Sequence, residues 1–224
     1  FGIPVYIRPS FWVVLAIFGG ALSISSVEDL IYPALFVIAG FVAILSHEMG
    51  HALVGRKLGG GQQTIVLELF GGLTSSHGMQ LTRGGRALMI LAGPMMTLLL
   101  GIISLWLTWN IVAPVMTSYN LNFWDLAISP FTAALISPKL YILSCLIMIG
   151  EWWTILNLLP IYPLDGGQLI AQYIRSPRKV FMTGFITAIL IGLLSFQLFH
   201  GYFIPIFMAL FAYSNYREYK NAPF

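Results

Sequence analysis

"IYPALFVIAGFVAILSHEMGHALVG", Ile31 to Gly55, contains one formally charged side chain, Glu48, and is closed by Arg56 and Lys57. A run this long and this apolar exceeds the roughly 20 residues a helix needs to cross a bilayer core. It therefore predicts a membrane-spanning helix that carries two histidines and a glutamate near one end. The whole composition agrees: 58% of residues are apolar, 8% are charged and the mean hydropathy is +0.86. Those proportions exclude an ordinary soluble domain and describe an integral membrane protein.

With the other apolar runs it makes six candidate spans: Phe11 to about Ile24, Ile31 to Gly55, Ala87 to Ala113, Leu140 to Leu159, Val180 to Phe199, and Tyr202 to about Tyr216. The expected fold is an all-α polytopic membrane protein, one domain over residues 1–224 with its core at about 31–175. If the N-terminus is cytoplasmic, Arg8, Arg56, Lys57, Arg83, Arg86, Arg175, Arg178, Lys179, Arg217 and Lys220 share the cytoplasmic side and only Lys139 lies outside. The positive-inside rule favours that arrangement, with both termini cytoplasmic in the cell membrane. Between the second and third spans, "QQTIVLELFGGLTSSHGMQLT" has a β-branched centre and then the Gly71-Gly72 break, so it predicts a small hairpin or sheet at the cytoplasmic face. The segment from Pro114 to Pro138 is apolar and carries no clear periodicity.

The net charge of +3 is scattered in ones and twos, which argues against nucleic-acid binding. The single cysteine, Cys145, excludes an internal disulfide and a cysteine-based metal framework, and reads as a small buried hydrophobe.

On a helix His47 and His51 lie one turn apart on one face and can bind the same metal ion. Glu48, about 100° round from His47, then stands beside the ion's open position, where it can take a proton from water. This HExxH pattern suits zinc, since neutral imidazoles bind borderline metals and three protein ligands leave a fourth position for water. The alternative, that these are silent polar residues at a helix interface, runs against the cost of ionisable groups in lipid. His47 precedes Arg56 by nine residues, about 14 Å of helix, so water must reach it through protein.

A third ligand has two candidates. In "NLLPIYPLDGG", Asn157 to Gly167, Pro160 and Pro163 break the fourth span and Asp165 projects from the break; a plain helix-capping role is the competing reading. Glu151, inside the fourth span, is the rival, because a buried carboxylate needs a partner. Ser46 and Asn157 are available to hydrogen-bond near the metal.

"HEMGH" in the second span, "AGP" (Ala92 to Pro94) in the third and "NLLPIYPLDGG" after the fourth, in that order, resemble the site-2 proteases, intramembrane zinc metalloproteases of peptidase family M50. The resemblance covers roughly residues 40–175 and is to a minimal member, without a PDZ or CBS domain. It implies one Zn2+ per chain held by His47, His51 and Asp165, with Glu48 as general base and acid. Asn157 would hold the substrate backbone or the oxyanion, and Gly71 and Gly72 would mark an edge strand that pairs with an unwound transmembrane substrate. Val66, in "TIVLEL", is expected on the pairing strand.

The implied partners are a transmembrane protein or peptide substrate and the lipid bilayer. A transporter or channel in which Glu151 and Asp165 form a relay is the alternative class. A carboxylate between two ligands serves hydrolysis and has no evident place there. A catalytically dead scaffold is disfavoured because no position of the pattern is substituted. Gly59 to Gly61 lack the ending of a phosphate loop and read as a helix terminus. His77 reads as a solvated loop residue, and His200 as too near the outer end of the fifth span to bind the metal. Trp152 and Trp153 read as packing or lipid-facing, and Gly93 and Gly101 as points of close helix contact.

Overall fold

The apolar runs fold as helices. The computed structural model describes residues 2–69, 71–78, 80–114 and 122–223, which form two compact units, Phe1–Thr154 and Ile155–Phe224.

In the first unit, α1 (Pro9–Phe18) leads through 3-10 turns at Ala21–Ser23 and Glu28–Leu30 into α2 (Ile31–Gly59). Helix α2 stops at a glycine triplet: Gly60 and Gly61 both adopt positive φ (65° and 75°), open to glycine at little cost, and the Gly60 N–H donates to Arg56 O at 3.0 Å. Arg56 and Lys57 in the last turn complement the helix dipole. The chain then enters β2 (Gln62–Glu68), turns, and returns as β3 (Gly71–His77). A third strand, β1 (Val5–Ile7), lies parallel to β2 with Val5 opposite Ile65, while β2 and β3 run antiparallel with Val66 opposite Leu73. The order is β1-β2-β3. Ile65 and Leu67 are fully buried against Phe11, Leu15, Ile44 and Ala52, so one face of the sheet packs on α1 and α2.

Helix α3 (Arg83–Val112) is N-capped by Thr82, whose Oγ1 accepts from the Gly85 N–H at 3.1 Å. It crosses α2 in near backbone contact, because a Cβ at Gly50 would overlap the Ala92 carbonyl. Helix α6 (Pro138–Leu158) joins α3 where Thr154 Oγ1 and Thr97 Oγ1 lie 3.0 Å apart and both reach the carbonyl of Pro94. Among the described residues, the segment from Pro114 to Pro138 has two short helices, α4 (Phe123–Ile128) and α5 (Pro130–Ala134). Phe123 and Leu126 are buried there, and residues 115–121 lie outside the described residues. Cys145 is fully buried, as its apolar surroundings require.

The second unit opens with the last turn of α6 and a bend at residues 159–164. It continues with α7 (Asp165–Ala171), α8 (Pro177–Phe199) and α9 (Phe203–Asn221). Helices α8 and α9 form an antiparallel hairpin about a core of Ile161, Ala188, Met208 and Ala212. His200 sits in the turn between them at φ 51°.

The outcome for the spans differs from the six expected. Four helices among the described residues are long and apolar enough to cross a membrane: Glu28–Gly59, Arg83–Val112, Pro138–Leu158 and Pro177–Leu198. Helix α1 has only 10 residues, because Gly19 and Gly20 follow it and Gly20 takes a left-handed φ of 87°. Helix α9 carries Arg217, Glu218 and Lys220 in its last turns, which removes it from the apolar set. The small sheet is present, with a strand more than the hairpin expected.

Candidate metal centre

The first unit supplies two imidazoles and a carboxylate from α2, all buried: His47, Glu48 and His51 are 2%, 5% and 8% exposed. The Nε2 atoms of His47 and His51 lie 3.1 Å apart, with ring centroids at 4.7 Å and planes at 83°. A tetrahedral ion with bonds of about 2.0–2.1 Å separates neighbouring ligand nitrogens by roughly 3.3 Å, so the pair fits one such ion. His51 Nδ1 lies 2.8 Å from the Met89 carbonyl oxygen. A carbonyl only accepts, so Nδ1 carries the proton and Nε2 keeps its lone pair. That is the orienting contact a ligating histidine needs.

Glycine makes the space. A Cβ at Gly93 of α3 would overlap the His51 ring and crowd His47 Nε2, so only a glycine lets the "AGP" segment pack this closely against both rings. On the other side, a Cβ at Gly72 would overlap Cγ and Cδ of Glu48, so β3 runs directly over this carboxylate. Thr74 Oγ1, two residues along the same face, donates to Glu48 Oε2 at 2.7 Å and also lies 3.2 Å from the Glu48 carbonyl. A charge-assisted bond of that length holds one carboxylate oxygen in place and leaves the other available. Gly71, at φ 133°, passes against the Trp153 ring.

Three of these contacts were not anticipated: Thr74, Met89 and Gly93. For Gly93 the sequence shows membership of the "AGP" motif and a close helix contact, not its packing against the histidine rings. Val66 requires a correction. It lies in the central strand, paired to Tyr6 on one side and Leu73 on the other, so its backbone has no open edge. The outer strand beside Glu48 is β3, which contains Gly71 and Gly72. Glu151 is exposed on α6, unlike the buried histidines, and no metal-holding group among the described residues includes it. His77 is exposed at the far end of β3, opposite Gln62.

In the second unit Asn157 and Asp165 stand on either side of the proline bend, and both are buried, at 9% and 5% exposure. Asp165 is the first residue of α7, and Leu164 holds the N-cap position, so the capping role weighed for Asp165 does not describe it. Gly166 and Gly167 let α7 fold onto the bend: a Cβ at Gly166 would overlap the carbonyls of Leu158 and Leu159, and one at Gly167 the backbone of Ile161 and Tyr162.

Residues 35–199 match the model of peptidase family M50. The chain is 29% identical over 223 residues to a zinc metalloprotease of Methanocaldococcus jannaschii, an alignment that takes in 95% of this chain and 56% of that one. It thus spans about half the length of that curated relative. The solved site-2 protease from the same archaeon shares the fold, with a TM-score of 0.61 and 24% identity over 97% of this chain and 91% of that one.

Proposed function

The chain belongs to peptidase family M50, and from that premise we propose that it is an intramembrane zinc metalloprotease, cleaving a peptide bond within or near a transmembrane segment of another membrane protein. The observation that carries the reading is the approach of two buried imidazole nitrogens to 3.1 Å of each other on α2, with Glu48 buried on the same helix beneath β3. The named relative, a zinc metalloprotease, adds the metal. Asp165 is taken as the third donor, as the resemblance implies; two imidazoles and a carboxylate suit zinc and leave room for water.

Zinc bound there would supply Lewis acidity, polarising the scissile carbonyl and making water acidic enough to lose a proton near neutral pH. The rest of the work falls to side chains. Glu48 accepts the proton of the attacking water on the oxygen that Thr74 leaves available, then passes it to the departing amine. His51 keeps a proton on Nδ1, fixed by the Met89 carbonyl. Asn157 donates to the oxygen that gains charge.

A transmembrane helix hides its amides in its own hydrogen bonds, so a substrate must unwind before water can attack it. The outer edge of β3, through Gly71 and Gly72, receives the unwound stretch as an added strand. The whole chain acts as a single catalytic domain, with termini and sheet at the cytoplasmic face.

The test is direct. Protein purified in detergent is assayed for zinc and for cleavage of a panel of membrane-spanning peptides, as wild type and as Glu48→Gln. About one zinc per chain in both proteins, with cleavage in the wild type alone, is expected. Cleavage by metal-free protein, or by the Glu48→Gln variant, would overturn the reading.

A further inference from the structure

In a membrane chain every backbone carbonyl needs a donor, and the bend that ends in Asp165 is short of them because Pro160 and Pro163 have no N–H. The bend answers locally where it can. Ile161 N–H donates to Leu159 O at 2.7 Å, Leu164 N–H to Ile161 O at 2.8 Å, and Gln168 Nε2 to Pro163 O at 2.9 Å. The carbonyl of Tyr162, three residues before Asp165, takes its donor from 53 positions away: Asn215 Nδ2 on α9, at 2.6 Å.

Asn215 is 1% exposed, and its Nδ2 donates a second bond to Phe211 O at 2.9 Å. Two carbonyl partners require the amide nitrogen to face them, which settles the orientation of the side chain. Its Oδ1 finds no donor and lies against Gly184 of α8, where a Cβ would overlap it. Bend, α8 and α9 thus meet around one amide. The contacts at Gly166 and Gly167 then make the bend and the first turn of α7 one folded piece.

We infer that Asn215 is a positioning residue for the carboxylate of Asp165: by holding Tyr162 O it fixes the bend, and with it the direction in which the first residue of α7 presents its side chain to the metal. The inference rests on the reading of Asp165 as a zinc ligand. Asn215 acts through the bend, since its amide donates to backbone carbonyls of Tyr162 and Phe211.

The experiment measures zinc affinity by competition with a chromophoric chelator, and the visible spectrum of the cobalt-substituted protein, for full-length wild type, Asn215→Leu, Asn215→Asp and Asp165→Asn in detergent. Asn215→Leu removes the donors at similar volume; Asn215→Asp turns a donor into an acceptor facing two carbonyls. Both are expected to weaken zinc binding by about 10- to 100-fold, in line with the loss of an orienting contact behind a ligand, and to change the cobalt d–d bands. A structural role confined to packing would lower melting temperature and leave those bands alone. Wild-type affinity and an unchanged cobalt spectrum in Asn215→Leu would overturn the inference. If that variant does not purify folded, Asn215→Ser, which shortens the reach of the donor, is judged by the same two readouts. Asp165→Asn separates the two ideas: if it keeps wild-type affinity, the ligand assignment has failed, whereas if it alone loses zinc, only the role of Asn215 has.

Discussion

At the scale of single residues, the hydrolytic unit proposed here is two layers deep. His47, Glu48 and His51 could be read from their spacing, since a four-residue interval fixes a shared helix face before any tertiary contact is known. The residues that hold them could not. Thr74 lies 26 positions from Glu48, and Met89 is 38 from His51; a threonine in a strand or a methionine in a helix carries no mark of the contact it makes. Thr74→Val keeps the shape and deletes the donor to Glu48. Steady-state cleavage should show kcat reduced by about tenfold, equivalent to about 1.4 kcal/mol, with KM and zinc content within about twofold of wild type. Thr74→Ser should restore most of the rate. An undiminished kcat in Thr74→Val would remove this hydroxyl from the mechanism.

Among elements, long apolar helices were the most legible features because hydropathy alone defines them. Their ends were less so. Gly19 and Gly20 terminate α1 after 10 residues, though the apolar run continues to Ile24. Strand β1 has three residues, all exposed, and pairs with a segment 60 positions later, so neither alternation nor proximity announces it. Its presence makes β2 a central strand, which is why a proline at Val66 would break the sheet rather than test substrate pairing. Helix α3 offers a sharper probe. Gly93→Ala should favour the helix by about 1 kcal/mol on propensity, yet its methyl group would occupy the space of the His51 ring. Zinc content measured by atomic emission should fall to about a tenth of wild type or less, with helical circular dichroism retained. Normal zinc loading in that variant would mean that the two rings find their ion elsewhere.

For the molecule as a whole, membrane residence followed from composition, and the orientation proposed here follows from the placement of eleven basic residues. What sequence could not separate was how many apolar segments cross. A helix such as α9 mixes lipid-compatible and charged turns, and the decision falls to packing rather than hydropathy. In cells expressing a Cys145→Ala background, an impermeant maleimide should modify Lys139→Cys directly and Lys57→Cys only after permeabilisation. The reverse pattern would invert the whole topology and place the sheet outside.

The stretch from His47 to Thr74 carries the two paired imidazoles, turns at Gly60 and Gly61, and comes back as the strand that grips the Glu48 carboxylate. On the reading proposed above, the surface offered to an incoming polypeptide and the group that shuttles its protons are mechanically one object within this loop of chain. A guest strand that tugs on β3 would then also be felt at Glu48, so recruitment and turnover would not be tuned as independent dials.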